Sequence, residues 1–246
     1  MERDDHAPVA TFFAESSIAA GTTATLGESA AHHARVKRLD VGDVVRLTDG
    51  AGRTGQGTVA AIRRGALDVA VESVNAVERP WPIHLRVPVS DRDRMLWLAE
   101  KATELGISTW QAVRFRRSAS VSPRGEGGAF AQKVRSRMIG ALEQSSGGWL
   151  PAVLPDITVD ALPVSADELP IVLDPCGEPL GRLLPLASKS HPVIVFGPEG
   201  GIEDDELSAL VARGWQRASI GSATLRFETA GIAAVAVLRA IDPGGA

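Results

Sequence analysis

Between Pro192 and Leu207 the chain reads PVIVFGPEGGIEDDEL, which sets one carboxylate, Glu199, among three glycines and four more, Glu203-Asp204-Asp205-Glu206, just behind them. The apolar run Val193–Phe196 has the character of a short buried strand. The glycines permit backbone angles that other residues resist, and the carboxylates suit the positive end of a helix carrying Leu207, Leu210 and Val211. Strand, glycine loop and helix make a ligand-binding layout. The loop lacks both the Lys-Ser/Thr of a phosphate-cradling loop and a G-x-G-x-x-G spacing, which disfavours a phosphate ligand. A second stretch, IGSATLRFETA, follows a short strand at Ala218-Ser219-Ile220 and supplies a cation, Arg226. Behind it, Glu228 and Thr229 read as N-cap residues for the helix Gly231–Ala240. The lone cysteine, Cys176, permits no internal disulfide and reads as a small buried side chain rather than a nucleophile. No metal-ligand cluster stands out, so no metal is expected.

Two kinds of element must position these residues. Residues 9 to about 77 read as short strands separated by glycine turns (Val44–Thr48, Gly55–Ile62, Ala66–Val71), the pattern of a small barrel, with a short helical segment over His32–Leu39. Glu78-Arg79-Pro80-Trp81-Pro82 breaks the pattern and places a boundary between residues 1–77 and 82–246. Ile83–Val89 then reads as a strand, and Ser90 or Asp91 as the N-cap of a helix burying Met95, Leu98, Ala99, Ala102 and Leu105. Ser108–Phe115 returns to strand, SVSPRGEGG to flexible loop, and Phe130, Val134, Met138 and Leu142 mark one face of a further helix. Pro151–Pro170 is expected to be irregular, and Ile171–Pro175 to be a strand with a turn at its end. Alternating strands and helices imply a mostly parallel sheet with helices on both faces, whose strand ends gather ligand loops. The helix from Gly231 to Leu238 is apolar on every side. One face should meet its own core and the other a twofold partner, with Val235 on the buried seam.

Composition narrows the class. With 246 residues, 44% hydrophobic content and no run of about 18 apolar residues, a soluble globular protein without a membrane span is expected. The N-terminal MERDDHAPVA is acidic and has no apolar core, so a cytoplasmic protein is expected. The formal charge is −4, yet His32–Arg64 holds seven Lys/Arg against three Asp/Glu, and Arg114–Arg137 seven against one. Two basic islands in an acidic chain fit a phosphate backbone, because binding follows the local field.

GPEGG about twenty residues ahead of IGSATLRFETA resembles the 16S ribosomal RNA (uracil-N3) methyltransferase family of the SPOUT superfamily. The likeness extends, in the family's order, to His33-x-Arg-Val-x-Arg38, Asp49-Gly50, Lys101–Gly106, and Glu143-Gln144-Ser145 with Pro151. The resemblance implies an α/β fold: a knotted SPOUT-type parallel sheet preceded by a small PUA-like β-barrel. It implies S-adenosylmethionine as cofactor, held by Leu173, Asp174, Gly197, Pro198, Glu199, Gly200, Gly201, Ile220, Gly221, Ser222 and Leu225. The RNA contacts it implies are His33, Arg35 and Arg38, and the partner 16S ribosomal RNA or the small subunit; the basic loop adds Arg116 and Arg117 as expected RNA contacts, and the apolar last helix makes a homodimer the expected active form. Arg226 would stabilise the imide anion, and Glu199 would neutralise a cationic group of the cofactor or cap the following helix. An RNA-binding protein of this fold without activity, or an enzyme with another RNA target, would share most of these features. The family's motif reads Leu-Arg-Thr-Glu-Thr-Ala. Here Phe227 replaces its first threonine, and Ala223 and Gly147 stand where arginine is common.

Overall fold

Alternation of small and apolar side chains builds the first unit of the computed structural model, which describes residues 8–120, 123–183 and 190–241. The acidic start of the chain and Val121-Ser122 of the glycine-rich loop lie outside the described residues. The two compact units comprise Met1–Arg79 with Ile139–Leu150, and Pro80–Met138 with Pro151–Ala246.

In the first unit β1 (Thr11–Phe13), β2 (Thr23–Leu26), β3 (Val44–Thr48), β4 (Arg53–Ile62) and β5 (Leu67–Ala76) form a curled sheet in the order β1-β3-β4-β5-β2. The pairings are antiparallel except β1 with β3. Phe12, Leu47, Val59, Leu67 and Val69 point inward, and α1 (Glu28–Val36) covers them with Ala30, Ala31 and Ala34. Two strands, β1 and β2, are too short to register as apolar runs in the sequence.

Residues Ile139–Leu150 pack into this unit through polar bonds. The Phe13 N–H donates to Glu143 Oε1 (2.9 Å), Thr48 Oγ1 donates to the Gly147 carbonyl (2.9 Å), and Trp149 Nε1 donates to the Val77 carbonyl (3.0 Å). Glu143 also faces His33 Nδ1 at 3.8 Å. Burial raises the Glu143 carboxyl above the ordinary 4.5, outweighing the Phe13 N–H, and lowers the His33 imidazole.

The second unit is a six-stranded, wholly parallel sheet in the order β11-β9-β10-β6-β7-β8. Its strands are β6 (His84–Pro88), β7 (Thr109–Arg114), β8 (Ala152–Thr158), β9 (Glu168–Pro179), β10 (His191–Val195) and β11 (Gln216–Ser219). Its helices are α2 (Arg92–Glu104), the part of α3 (Gly128–Ser145) up to Met138, α4 (Asp204–Ala212) and α5 (Phe227–Arg239); the rest of α3 belongs to the first unit. Leu85, Val87, Ile171, Val172, Ile194 and Val195 are fully enclosed, as central parallel strands covered on both faces require. α2 packs on α5, and Arg239 on α5 donates to the carbonyls of Leu105 (2.8 Å) and Trp81 (2.7 Å). A cation thereby satisfies an acceptor left open where α2 ends.

Four expectations are corrected. Pro151–Pro170 is not wholly irregular, because β8 lies within it; Pro155 is tolerated there since β8 is the edge of the sheet. β9 does not stop at Pro175 but runs to Pro179 past a register shift opposite Arg217/Ala218. Cys176 lies in that irregular stretch and is exposed rather than buried. Val235, expected on the seam with a partner, is instead wholly enclosed by its own unit, while Ala236 and Val237 are exposed.

A raised carboxyl pKa means that the folded state holds the Glu143 proton more tightly than the unfolded chain does. Its contribution is therefore full below 4.5 and is lost as pH rises through the folded value. Glu143→Gln keeps an acceptor for Phe13 and removes this loss. Urea midpoints between pH 4 and 7 should favour the variant increasingly as pH rises.

Candidate functional site

β11, β9 and β10 are neighbours in a parallel sheet, so the segments leaving or interrupting them near their C-terminal ends must meet. They enclose a cleft of about 430 Å³. The excursion of β9 supplies Leu173, Asp174, Pro175 and Cys176, the loop after β10 supplies Phe196 to Glu199, Gly201 and Ile202, and the loop after β11 supplies Ile220, Gly221 and Ala223 to Leu225. Phe227 and Ala230, at the start of α5, close one side.

Of the residues singled out in the sequence, Leu173, Asp174, Gly197, Pro198, Glu199, Gly201, Ile220, Gly221 and Leu225 line this cleft. Gly200, Ser222 and Arg226 do not. Gly200 turns toward Arg117, whose Nη1 donates to its carbonyl at 2.6 Å. Ser222 belongs to an adjoining open hollow. Arg226 is exposed, is itself the N-cap position of α5, and makes no side-chain hydrogen bond or ion pair among the described residues.

Two turns fix the loop after β10. The Gly201 N–H donates to the Pro198 carbonyl (2.8 Å), and Gly201 takes φ +75°, a left-handed conformation that favours glycine. The positive φ thus falls on Gly201 rather than Gly200. α4 is capped by Glu203 with Glu206, whose Oε2 accepts the Glu203 N–H at 3.2 Å, so Glu199 is not the cap. Glu206 Oε1 accepts the Arg116 N–H at 2.9 Å. The Arg116 guanidinium bonds Asp205 and lies 3.0 Å from Glu203, which raises the arginine and holds the Asp205 carboxyl below its ordinary value.

Glu199 is held from below. Asp91 caps α2 by accepting the Arg94 N–H (3.0 Å), which leaves Ser90 Oγ to donate to the Glu199 carboxylate. Arg94 Nη1 lies 3.8 Å from Glu199, and its Nε 3.9 Å from Glu228. Glu228 does not cap α5; it is 9% exposed, and its Oε2 has no hydrogen-bond partner. The other wall carries an Asp174–Arg217 pair at 2.7 Å. Ser90, Arg94 and Arg217 carried no site signal in the sequence. Arg94 read as the polar face of an amphipathic helix, and only the fold brings it to the loop.

The candidate RNA residues divide between the units. His33 is half-buried against the Phe12 ring (centroids 5.4 Å apart), Arg35 donates to the Ala31 and Arg64 carbonyls, and Arg38 is exposed with φ 55°. Arg116 and Arg117 both face Glu203, and Arg124 and Arg137 also have carboxylate partners, so much of the second basic island is matched internally. Among the described residues no group of three or more His, Cys, Asp or Glu could hold a metal, and no helix is long and apolar enough to cross a membrane.

Residues 77–239 match the model of the RNA methyltransferase domain and residues 26–72 that of the RNA methyltransferase PUA domain. The ribosomal RNA small subunit methyltransferase E of Mycobacterium tuberculosis is 31% identical over 225 residues, spanning 86% of this chain and 82% of the relative. That of Synechocystis is 27% identical over 226 residues, 89% and 73% of the two chains. A Legionella pneumophila structure described as a putative methyltransferase in complex with bound cofactor SAM aligns with TM-score 0.86 at 24% identity, covering 96% of this chain and 98% of its own. A Neisseria gonorrhoeae ribosomal RNA small subunit methyltransferase E bound to S-adenosyl methionine aligns at 0.82 and 23%, covering 94% and 97%. These two structural likenesses establish the fold.

Gly201→Val forces a branched side chain into the left-handed region, whereas Gly200 is not among the positive-φ glycines and a Cβ there meets only the Arg117 side chain, its Cβ at 3.2 Å. Denaturant unfolding should show Gly201→Val costing about 1–2 kcal/mol and Gly200→Val less.

Proposed function

This chain belongs to the RNA methyltransferase family, and on that premise we propose that it transfers a methyl group from S-adenosylmethionine to N3 of a uridine in 16S ribosomal RNA. The observation that carries this reading is the cleft itself, in which the two loops bearing the family's motifs meet the excursion of β9. Its chemistry fits such a cofactor. Phe196, Leu225 and Phe227 offer apolar area to a flat base, the glycine loop leaves backbone edges open, and Glu199 stands ready for a cationic group. A Cβ at Gly197 would lie 3.0 Å from the Ile202 backbone nitrogen, so the loop is packed tightly where the cleft begins.

When bound, the cofactor supplies an electrophilic methyl, which leaves the protein the tasks of orientation and charge placement. Arg226, with no internal partner among the described residues, directs its guanidinium to the imide oxygens of uracil and stabilises the anion left when N3 loses its proton. Glu199, fixed by Ser90 and Arg94, balances positive charge in the cleft.

RNA binding falls to the PUA module and the basic islands. His33, Arg35 and Arg38 present one track, and Arg116 and Arg117 a second whose charge is already shared with α4. The protein works in the cytoplasm on 16S RNA or the small subunit, with its chain knotted around the cofactor loops. Two copies pair through the open face of α5, where Val237 rather than Val235 is exposed.

Arg226→Ala should lower kcat about 10²- to 10³-fold with unchanged S-adenosylmethionine affinity by calorimetry. Replacing Arg35 and Arg38 together should flatten the salt dependence of RNA binding by about one to two units of log–log slope. In sedimentation, Val237→Glu should yield a species near the 25.8 kDa of one chain, and an unchanged dimer would remove α5 from the interface.

A further inference from the structure

Two carboxylates share one guanidinium beneath the cleft. Arg94 Nη1 is 3.8 Å from Glu199 Oε1 and Arg94 Nε 3.9 Å from Glu228 Oε1, both beyond hydrogen-bond length, so the cation is committed fully to neither. Glu199 has a further donor in Ser90 Oγ, whereas Glu228 Oε2 is buried and has none. Arg226, two residues before Glu228, pairs with neither carboxylate. Across the cleft Asp174 and Arg217 form a closed pair at 2.7 Å, and Asp204 sits in the first turn of α4, facing the positive end of that helix. The charge left over beneath the cleft is therefore one negative charge, held by Glu199, which lines the cavity, and by Glu228, which does not.

We propose that Glu228, acting through Arg94, sets the charge of the cofactor cleft so that it holds a sulfonium in preference to the corresponding neutral thioether. Glu228 is a positioning residue here. By drawing on Arg94 it leaves Glu199 under-neutralised, and a ligand bearing positive charge at its sulfur completes the balance. The uncharged product of methyl donation lacks that charge and leaves more readily, which suits an enzyme that must exchange the spent ligand after each turnover. The inference rests on the cofactor reading above.

Calorimetric titration of the cofactor-free protein with S-adenosylmethionine and with S-adenosylhomocysteine tests it, the readout being the ratio of the two dissociation constants. The ligands share their adenosine and amino-acid parts, so a purely structural change moves both affinities together. Glu228→Gln keeps shape and removes one charge, and should lower the preference for the sulfonium about fivefold, the order expected of a unit charge acting across a partly solvated site. Arg94→Met should raise the preference by a similar factor. Opposite shifts in the two variants support the inference. A ratio unmoved in both, with wild-type protein binding both ligands, overturns the inference and leaves the cofactor reading intact. Failure of wild-type protein to bind either ligand overturns both.

Discussion

Everything at the candidate site depends on three neighbouring parallel strands presenting their C-terminal ends at one edge. In an antiparallel sheet the loops after β9, β10 and β11 would be divided between opposite edges; parallel pairing in the order β11-β9-β10 brings them together whatever their side chains. The register shift opposite Arg217/Ala218 adds to this. It lets β9 bow outward over Leu173–Cys176 and rejoin its neighbour at Glu178, so that one strand contributes a wall from its interior as well as from its end. Backbone geometry thus makes the cleft, and side chains tune it.

The tuning is chiefly a matter of which charges are already satisfied. α4 opens with Asp204, Asp205 and Glu206, and Arg116 meets Asp205 and Glu206 as well as the cap residue Glu203, so these three carboxylates anchor the glycine loop while Asp204 alone of the run lines the cleft. The exposed contacts among these are individually weak in water. The buried Glu206 differs, because its two oxygens accept two backbone N–H groups, from Glu203 and Arg116, that would otherwise lack partners. The same accounting separates Arg226 from its neighbours. Arg94, Arg116, Arg117 and Arg217 all have carboxylate partners in the fold, while Arg226 has none among the described residues.

The sequence made legible whatever follows from local periodicity and backbone permissiveness. Val193–Phe196 before a glycine loop, the spacing of Met95, Leu98, Ala99 and Ala102, and the apolar face of α3 are each set by neighbours three or four residues away, and each appears as read. What escaped depends on distant partners. β8 escaped because Pro155 and Asp156 interrupt its apolar character, which an edge strand tolerates and a central one does not. Cys176 was misjudged because composition ranks cysteine as buried, while its exposure comes from a bulge defined by pairing with β11. Arg94 escaped because a polar helix position looks alike whether it faces water or a loop one hundred residues away. The Glu228 cap failed for a related reason: the chain turns into α5 two residues earlier, at Arg226, which carries Glu228 inward toward α2.

The departures from the family motif acquire a physical sense in this setting. Phe227 is 3% exposed and lines the cleft, so the residue standing for a threonine contributes apolar area in place of a hydroxyl. Ala223, where arginine is common, lines the same cleft without charge. Both changes leave the backbone groups of the loop untouched while removing polar reach from its rim. On the function proposed above, the cation at the base would be Arg226 and the anion at the cofactor Glu199, which lies in a loop held from both sides. Arg117 pins that loop through Gly200, and Ser90 and Arg94 hold the carboxylate itself. With fewer polar side chains at the rim, precision must come from how rigidly the remaining ones are supported, and the bonds that support Glu199 come from elements that are not part of the loop.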